Sequence, residues 1–102
     1  MGLDRLADQV EKERRDLRIL EAVMAHGPIG IVRLSEETDV PEHKVRYSLR
    51  MLENDELVQP TPQGAIPADD IDERVATLNE GLAHLLERTE TLKTIFSTDA
   101  DA

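Results

Sequence analysis

A chain of 102 residues in which 22 acids outnumber 12 lysines and arginines, for a net charge of −10, has room for one domain with extensions but not for two. Without cysteine it forms neither disulfides nor thiolate metal sites, and no apolar run approaches the roughly 18 residues of a membrane span. No signal-peptide pattern opens the chain, so a cytoplasmic protein is expected.

From the N-terminus, Leu3, Leu6, Val10, Glu13, Leu17, Leu20 and Met24 recur at alternating spacings of three and four, with Glu13 the one break. That period predicts a long helix. Its second half, from Leu17, is expected in a core with Ile19 and Val23. The first half, residues 1–16, projects as an extension and needs a partner. His26 precedes Gly27 at the helix end, where its imidazole is expected to cap carbonyls.

Residues 31–58 carry the most information. Leu34 and Val40 flank the polar stretch Ser35 to Asp39, which reads as a last helical turn and a bend, with Asp39 placed where the chain reverses. Pro41 pre-sets φ for a new helix, and Glu42 complements its N-terminus. Val45, Leu49 and Leu52 form one apolar stripe with Ser48 at its margin. Off that stripe lie His43, Lys44, Arg46, Tyr47 and Arg50, so this second helix has a dry side and a donor-rich side. From Glu42 to Arg50 there are three fixed cations and one anion, a local net of +2. Arg50, one turn further along, is expected to clamp backbone phosphate rather than read a base. Arg46 could contact a phosphate or pair with a carboxylate, and Tyr47 could touch bases or pack on the following strands. Leu57-Val58-Gln59 has strand character, Pro60 to Gly64 is dense in turn formers, and Ala65-Ile66 can return as a second strand.

Residues 17–67 resemble the winged helix-turn-helix domains of prokaryotic and archaeal transcriptional regulators. The signature is Val45-Arg-Tyr-Ser-Leu-Arg-Met-Leu-Glu53 followed by Leu57-Val58. The resemblance implies a mainly α fold with a small β-wing, a helix presented to a DNA groove, and DNA contacts from His43, Lys44, Arg46, Tyr47 and Arg50 with Gln59, Thr61 and Gln63 on the wing. Asp39 and Glu56 stand where such domains usually carry glycine, and Asn54 or Asp55 is expected to supply the left-handed residue in place of Glu56.

After a short hinge at Pro67-Ala68-Asp69, Ile71, Val75, Leu78, Leu82, Leu85, Thr89, Leu92 and Phe96 alternate by four and three, and seven of these eight are apolar. A helix over residues 70–96 is expected, about 40 Å long at 1.5 Å per residue, with Asp70 and Glu73 as an N-terminal capping pair. Its stripe is too long for a winged domain to bury. In a parallel pair Arg88 would face Lys93, and Leu86 and Ile95 widen the stripe beyond a two-helix seam. The expected interface is therefore a bundle of both terminal helices from two chains, using Leu3, Leu6, Val10, Ile71, Val75, Leu78, Leu82, Leu85, Leu86, Leu92 and Phe96. This layout resembles dimerising repressors such as the phenolic-acid decarboxylase regulator family. Residues 97–102 are expected to be a disordered tail.

An acidic chain is an unusual DNA binder. Only three lysines accompany nine arginines, an acid-rich, lysine-poor balance that points to an extreme halophile. At about 1 M salt the screening length is about 3 Å, so long-range repulsion from phosphate is largely erased. Counterion release fades there too, leaving close hydrogen bonds and shape fit. No metal ligand set involves His26, His43 or His84, and no phosphate loop, nucleophile triad or nucleotide fingerprint occurs, so neither an enzyme nor a cofactor is expected. The leading expectation is a homodimeric, sequence-specific transcriptional regulator bound to double-stranded DNA. The alternative is a winged-helix adaptor on a protein of the transcription or replication machinery. An effector-sensing regulator has little support, since no pocket-forming domain remains to be assigned.

Overall fold

The computed structural model describes residues 2–96, and the tail expected at 97–102 lies outside them. Six elements follow in order: α1 (Gly2–His26), α2 (Ile31–Thr38), α3 (Glu42–Asn54), β1 (Val58–Thr61), β2 (Gly64–Pro67) and α4 (Ile71–Lys93). The chain divides into two compact units, Met1–Asp69 and Asp70–Ala102.

In the first unit α1, α2 and α3 pack on one another around a small aliphatic core. Ile19, Leu20 and Val23 come from α1, Leu34 from α2, and Val45, Leu49 and Leu52 from α3. Each set repeats at helical spacing, so every helix turns one apolar stripe inward and leaves its charges outside. Leu17, read as the start of the core, is only half-buried.

The bend between α2 and α3 is built by local hydrogen bonds. Asp39 adopts φ 60° and its N–H donates to the Ser35 carbonyl at 2.9 Å. The Ser35 hydroxyl donates to the Val40 carbonyl at 2.6 Å, which ties the end of α2 to the residue after the bend. Asp is among the few side chains that tolerate this left-handed backbone. Pro41 takes the cap position of α3, one residue earlier than first-turn placement.

At the other end of α3 the structure corrects the expectation for the left-handed residue. It is Glu56 itself, at φ 61°, and neither Asn54 nor Asp55. The Glu56 N–H donates to the Glu53 carbonyl at 3.0 Å and the Leu57 N–H to the Leu52 carbonyl at 2.9 Å. This six-to-one, five-to-two pair is a Schellman cap, completed by the apolar residues Leu52 and Leu57, both buried. Two carbonyl hydrogen bonds and a buried leucine outweigh the roughly 1–2 kcal/mol that a β-carbon costs in this conformation.

β1 and β2 pair antiparallel, with Val58 opposite Pro67 and Thr61 opposite Gly64. The turn is shorter than the composition of residues 60–64 suggested, because Pro60 lies within β1 opposite Ala65. Proline is tolerated there because the sheet is two-stranded and β1 is an edge. On the other side of β2, Ile29 forms a bridge with Ala65: the Ile29 N–H donates to the Ala65 carbonyl at 3.1 Å and the return bond is 2.8 Å. This brings the Ile29 backbone so close that a β-carbon on Gly64 would lie 2.5–2.7 Å from it, and Gly64 has φ 129°. Only glycine fits that corner.

In the second unit α4 is a single helix from Ile71 to Lys93, continued by a turn through Phe96. The expected capping pair of Asp70 and Glu73 is not formed. Both Asp70 carboxylate oxygens instead accept from the Arg74 Nε at 3.0 Å, because an arginine one turn on offers a charged donor to the same group. Of the α4 seam residues Ile71 is buried, and Val75 and Leu78 are half-buried. Leu82, Leu85, Leu86, Leu92 and Phe96 are exposed, as are Leu3, Leu6 and Val10 on the first half of α1. No helix among the described residues is long and apolar enough to cross a membrane.

Candidate nucleic-acid interface

The two sides of α3 differ sharply. Val45, Ser48, Leu49 and Leu52 are buried, whereas His43, Lys44, Arg46, Tyr47 and Arg50 are exposed. Among the described residues the side chains of Lys44 and Arg46 have no carboxylate partner, so the Arg46 pairing considered above does not occur within this chain. Other cations are engaged: Arg33 with Glu37 at 3.9 Å, Lys12 with Asp16 at 3.0 Å, and Arg74 with Asp70. The positive charge of α3 is therefore available to an outside anion.

Tyr47 does not pack away from solvent. It is 59 % exposed, and the Arg50 guanidinium sits over its ring at 5.9 Å from the centroid. This cation–π contact holds a flat, positively charged group against an aromatic plate. His43, Arg46, Tyr47 and Arg50 together line an open depression of about 190 Å³. Four of the side chains expected to meet DNA thus form one continuous surface.

The wing contributes less. Gln59 and Gln63 are exposed. Thr61 is half-buried, its hydroxyl donating to the Gly64 carbonyl at 2.6 Å and accepting from the Gln63 N–H at 3.2 Å. Its polar group serves the turn first, which leaves it little reach toward a ligand.

A cluster not foreseen from the sequence positions α3. The Ser48 hydroxyl, wholly buried, donates to Asp16 Oδ1 at 2.6 Å and accepts from the Arg15 Nε at 2.9 Å. The second Asp16 oxygen faces Lys12 Nζ at 3.0 Å. The hydrogen bond to Asp16, aided by the charges of Asp16 and Glu13 and opposed by partial burial, raises the Lys12 ammonium above the ordinary lysine range. Asp16 is itself 4 % exposed, so a buried carboxylate is satisfied by a hydroxyl and two cations that reach it from α1. The signal was present in the spacing. Asp16 completes the stripe Ile19, Leu20, Val23, and Ser48 completes Val45, Leu49, Leu52, so each facing helix carries one polar residue at an inward position.

The other two histidines stand apart from this face. His26, expected to cap carbonyls, instead has its Nε2 3.9 Å from Glu37 Oε2, because α2 brings that acid alongside the end of α1. His84 is exposed on α4. Among the described residues no three His, Asp or Glu side chains gather as a metal ion would require.

No curated protein matches this chain. Residues 12–59, which include the Lys12–Asp16 contacts, the bend at Asp39, all of α3 and the first residues of the wing, match the family model of winged helix-turn-helix DNA-binding domains.

Proposed function

We propose that this chain is a homodimeric, sequence-specific DNA-binding regulator of transcription that places α3 in the major groove. The observation that carries this reading is the split character of α3: a buried stripe that fixes the helix to its own body, and an outer face of His43, Lys44, Arg46, Tyr47 and Arg50 left free of carboxylates. Lys44 and Arg46 are assigned to base edges or phosphate near the start of the helix, and Arg50 to the backbone one turn on. Gln59 and Gln63 supply neutral contacts from the wing, and Thr61 shapes its tip. The exposed leucines of α4 and of the first half of α1 supply the dimer bundle, as the resemblance to dimerising repressors suggests. Two-fold symmetry then predicts a pseudo-palindromic site with half-sites about 34 Å apart.

The net charge of −10 fits such a role in a cytoplasm of molar salt, where the long-range field is screened within about 3 Å. The test is a mobility shift with genomic fragments in molar KCl. Lys44→Ala or Arg46→Ala should weaken binding by about 1–3 kcal/mol and relax preference at one position if the residue reads a base. Binding indifferent to both changes removes this docking.

A second reading, a winged helix that serves as an adaptor for a protein of the transcription or replication machinery, is favoured by the wing. Between Gln59 and Pro67 there is no Lys or Arg, and the Thr61 hydroxyl is engaged in the turn. Failure to shift any fragment in high salt, with recovery of one protein partner by pull-down, would select it.

A further inference from the structure

The exposed half of α4 carries an apolar seam and charged flanks that match their own reversal, which goes beyond the proposed dimer reading. On that reading, we infer that α4 pairs with α4 of a second copy in antiparallel orientation, with the two-fold axis between Ala83 and His84.

The seam is complementary to its own reversal. With the axis at that point, Leu82 meets the partner's Leu85, Leu78 the partner's Thr89, and Val75 the partner's Leu92. Leu82, Leu85 and Leu92 are exposed, while Val75 and Leu78 keep part of their surface open. Each layer of the reversed pair holds at least one large aliphatic side chain, and the one polar seam residue, Thr89, faces a leucine. A parallel pair in register would instead set Thr89 against its own copy.

The flanks discriminate more strongly. Reversal brings Asp72 of each chain across from Lys93 of the other, twice by symmetry. The Asp72 side chain has no ion-pair partner within its own chain among the described residues. A parallel pair would place Arg88 against Lys93, like charge against like. Gly81 supports the same choice. It lies in mid-helix, with open space where a β-carbon would stand, and in the reversed pair it faces the partner's Arg88. A glycine there leaves room for the long arginine stem to lie across the helix.

Because the protein has no cysteine, introduced pairs report orientation cleanly. The full chain carrying Leu78→Cys with Thr89→Cys should oxidise to a covalent dimer, whereas Thr89→Cys alone should not. Two copies of residue 89 would stand about 16 Å apart along the axis at 1.5 Å per residue, beyond the roughly 7 Å Cα limit of a disulfide. Val75→Cys with Leu92→Cys should behave as the first pair does, which guards against a folding defect in one variant. Cross-linking of Thr89→Cys alone, or a dimer by sedimentation in which neither double variant links, overturns the antiparallel pairing. A monomer by sedimentation of the unmodified chain at micromolar concentration would instead remove the homodimer reading on which this inference rests.

Discussion

The winged unit and α4 are built from the same aliphatic residues, yet they resolve them in opposite ways. In the first unit three helices and a small sheet converge, so Ile19, Val23, Leu34 and Val45 reach complete or near-complete burial within one chain. Along α4 the leucines repeat as regularly, but Leu85 stays 55 % exposed and Leu86 61 %. The difference lies in geometry and not in composition. A stripe is covered only where its length is matched by neighbouring elements, and about 34 Å of helix at 1.5 Å per residue outruns a domain of this size. An unmatched stripe is a candidate interface.

The strongest way to break this comparison is to cut the core and the stripe in turn. Leu34→Ala should destabilise the folded chain by about 2–5 kcal/mol in urea denaturation at fixed salt, since its side chain is wholly enclosed. Leu85→Ala should change monomer stability by less than about 0.5 kcal/mol and, on the proposed dimer, should shift sedimentation toward smaller species. Equal effects from the two would mean that α4 is part of the same core.

Within the winged unit the clamp beneath α3 separates folding from recognition. Ser48→Ala leaves Asp16 short of a donor in a buried site, and a loss of about 1–3 kcal/mol is expected. Lys44→Ala removes a cation from the outer face and should leave stability within about 0.5 kcal/mol, with any loss confined to DNA binding. If Lys44→Ala destabilised the fold as Ser48→Ala does, the division of α3 into a dry and a free side would be mistaken.

A smaller effect tests the strained cap. Glu56→Gly relieves about 1 kcal/mol of left-handed backbone strain but also removes the interaction of the Glu56 side chain, so the denaturation midpoint should move by less than that strain alone would give. Asp39→Gly should gain less, because Asp tolerates the same conformation better. The smallest effect concerns pH. The Lys12 ammonium is favoured in the fold by Asp16, so its contribution is complete below the ordinary lysine range. It fades only as pH climbs through the raised value in strongly alkaline solution. Lys12→Met should remove that alkaline slope and alter nothing near neutrality beyond a modest, constant loss.

Much of the middle of the chain was legible because its signals are local. The bend at Asp39, the start of α3 after Pro41, and the alternation of dry and donor-rich residues along Val45 to Leu52 each follow from neighbours within one or two turns. Pro60 misled, since proline reads as a turn former, whereas its place in β1 depends on which edge of the sheet faces outward. Glu56 misled for a similar reason. Propensity argues against a left-handed glutamate, but the Schellman bonds and the burial of Leu57 are set by how the chain must leave α3 to enter β1.

Periodicity and composition by themselves determined four helices, a two-stranded wing and an outer face of α3 rich in donors. They did so because helix and strand periods and charge placement are written in short stretches of sequence. Tertiary structure alone decided that Asp16 and Ser48 meet and that Ile29 lies against β2. Both rest on elements brought together by helix packing and hairpin return: spacing marks a polar residue as inward, but a linear order of residues does not encode which inward groups will pair.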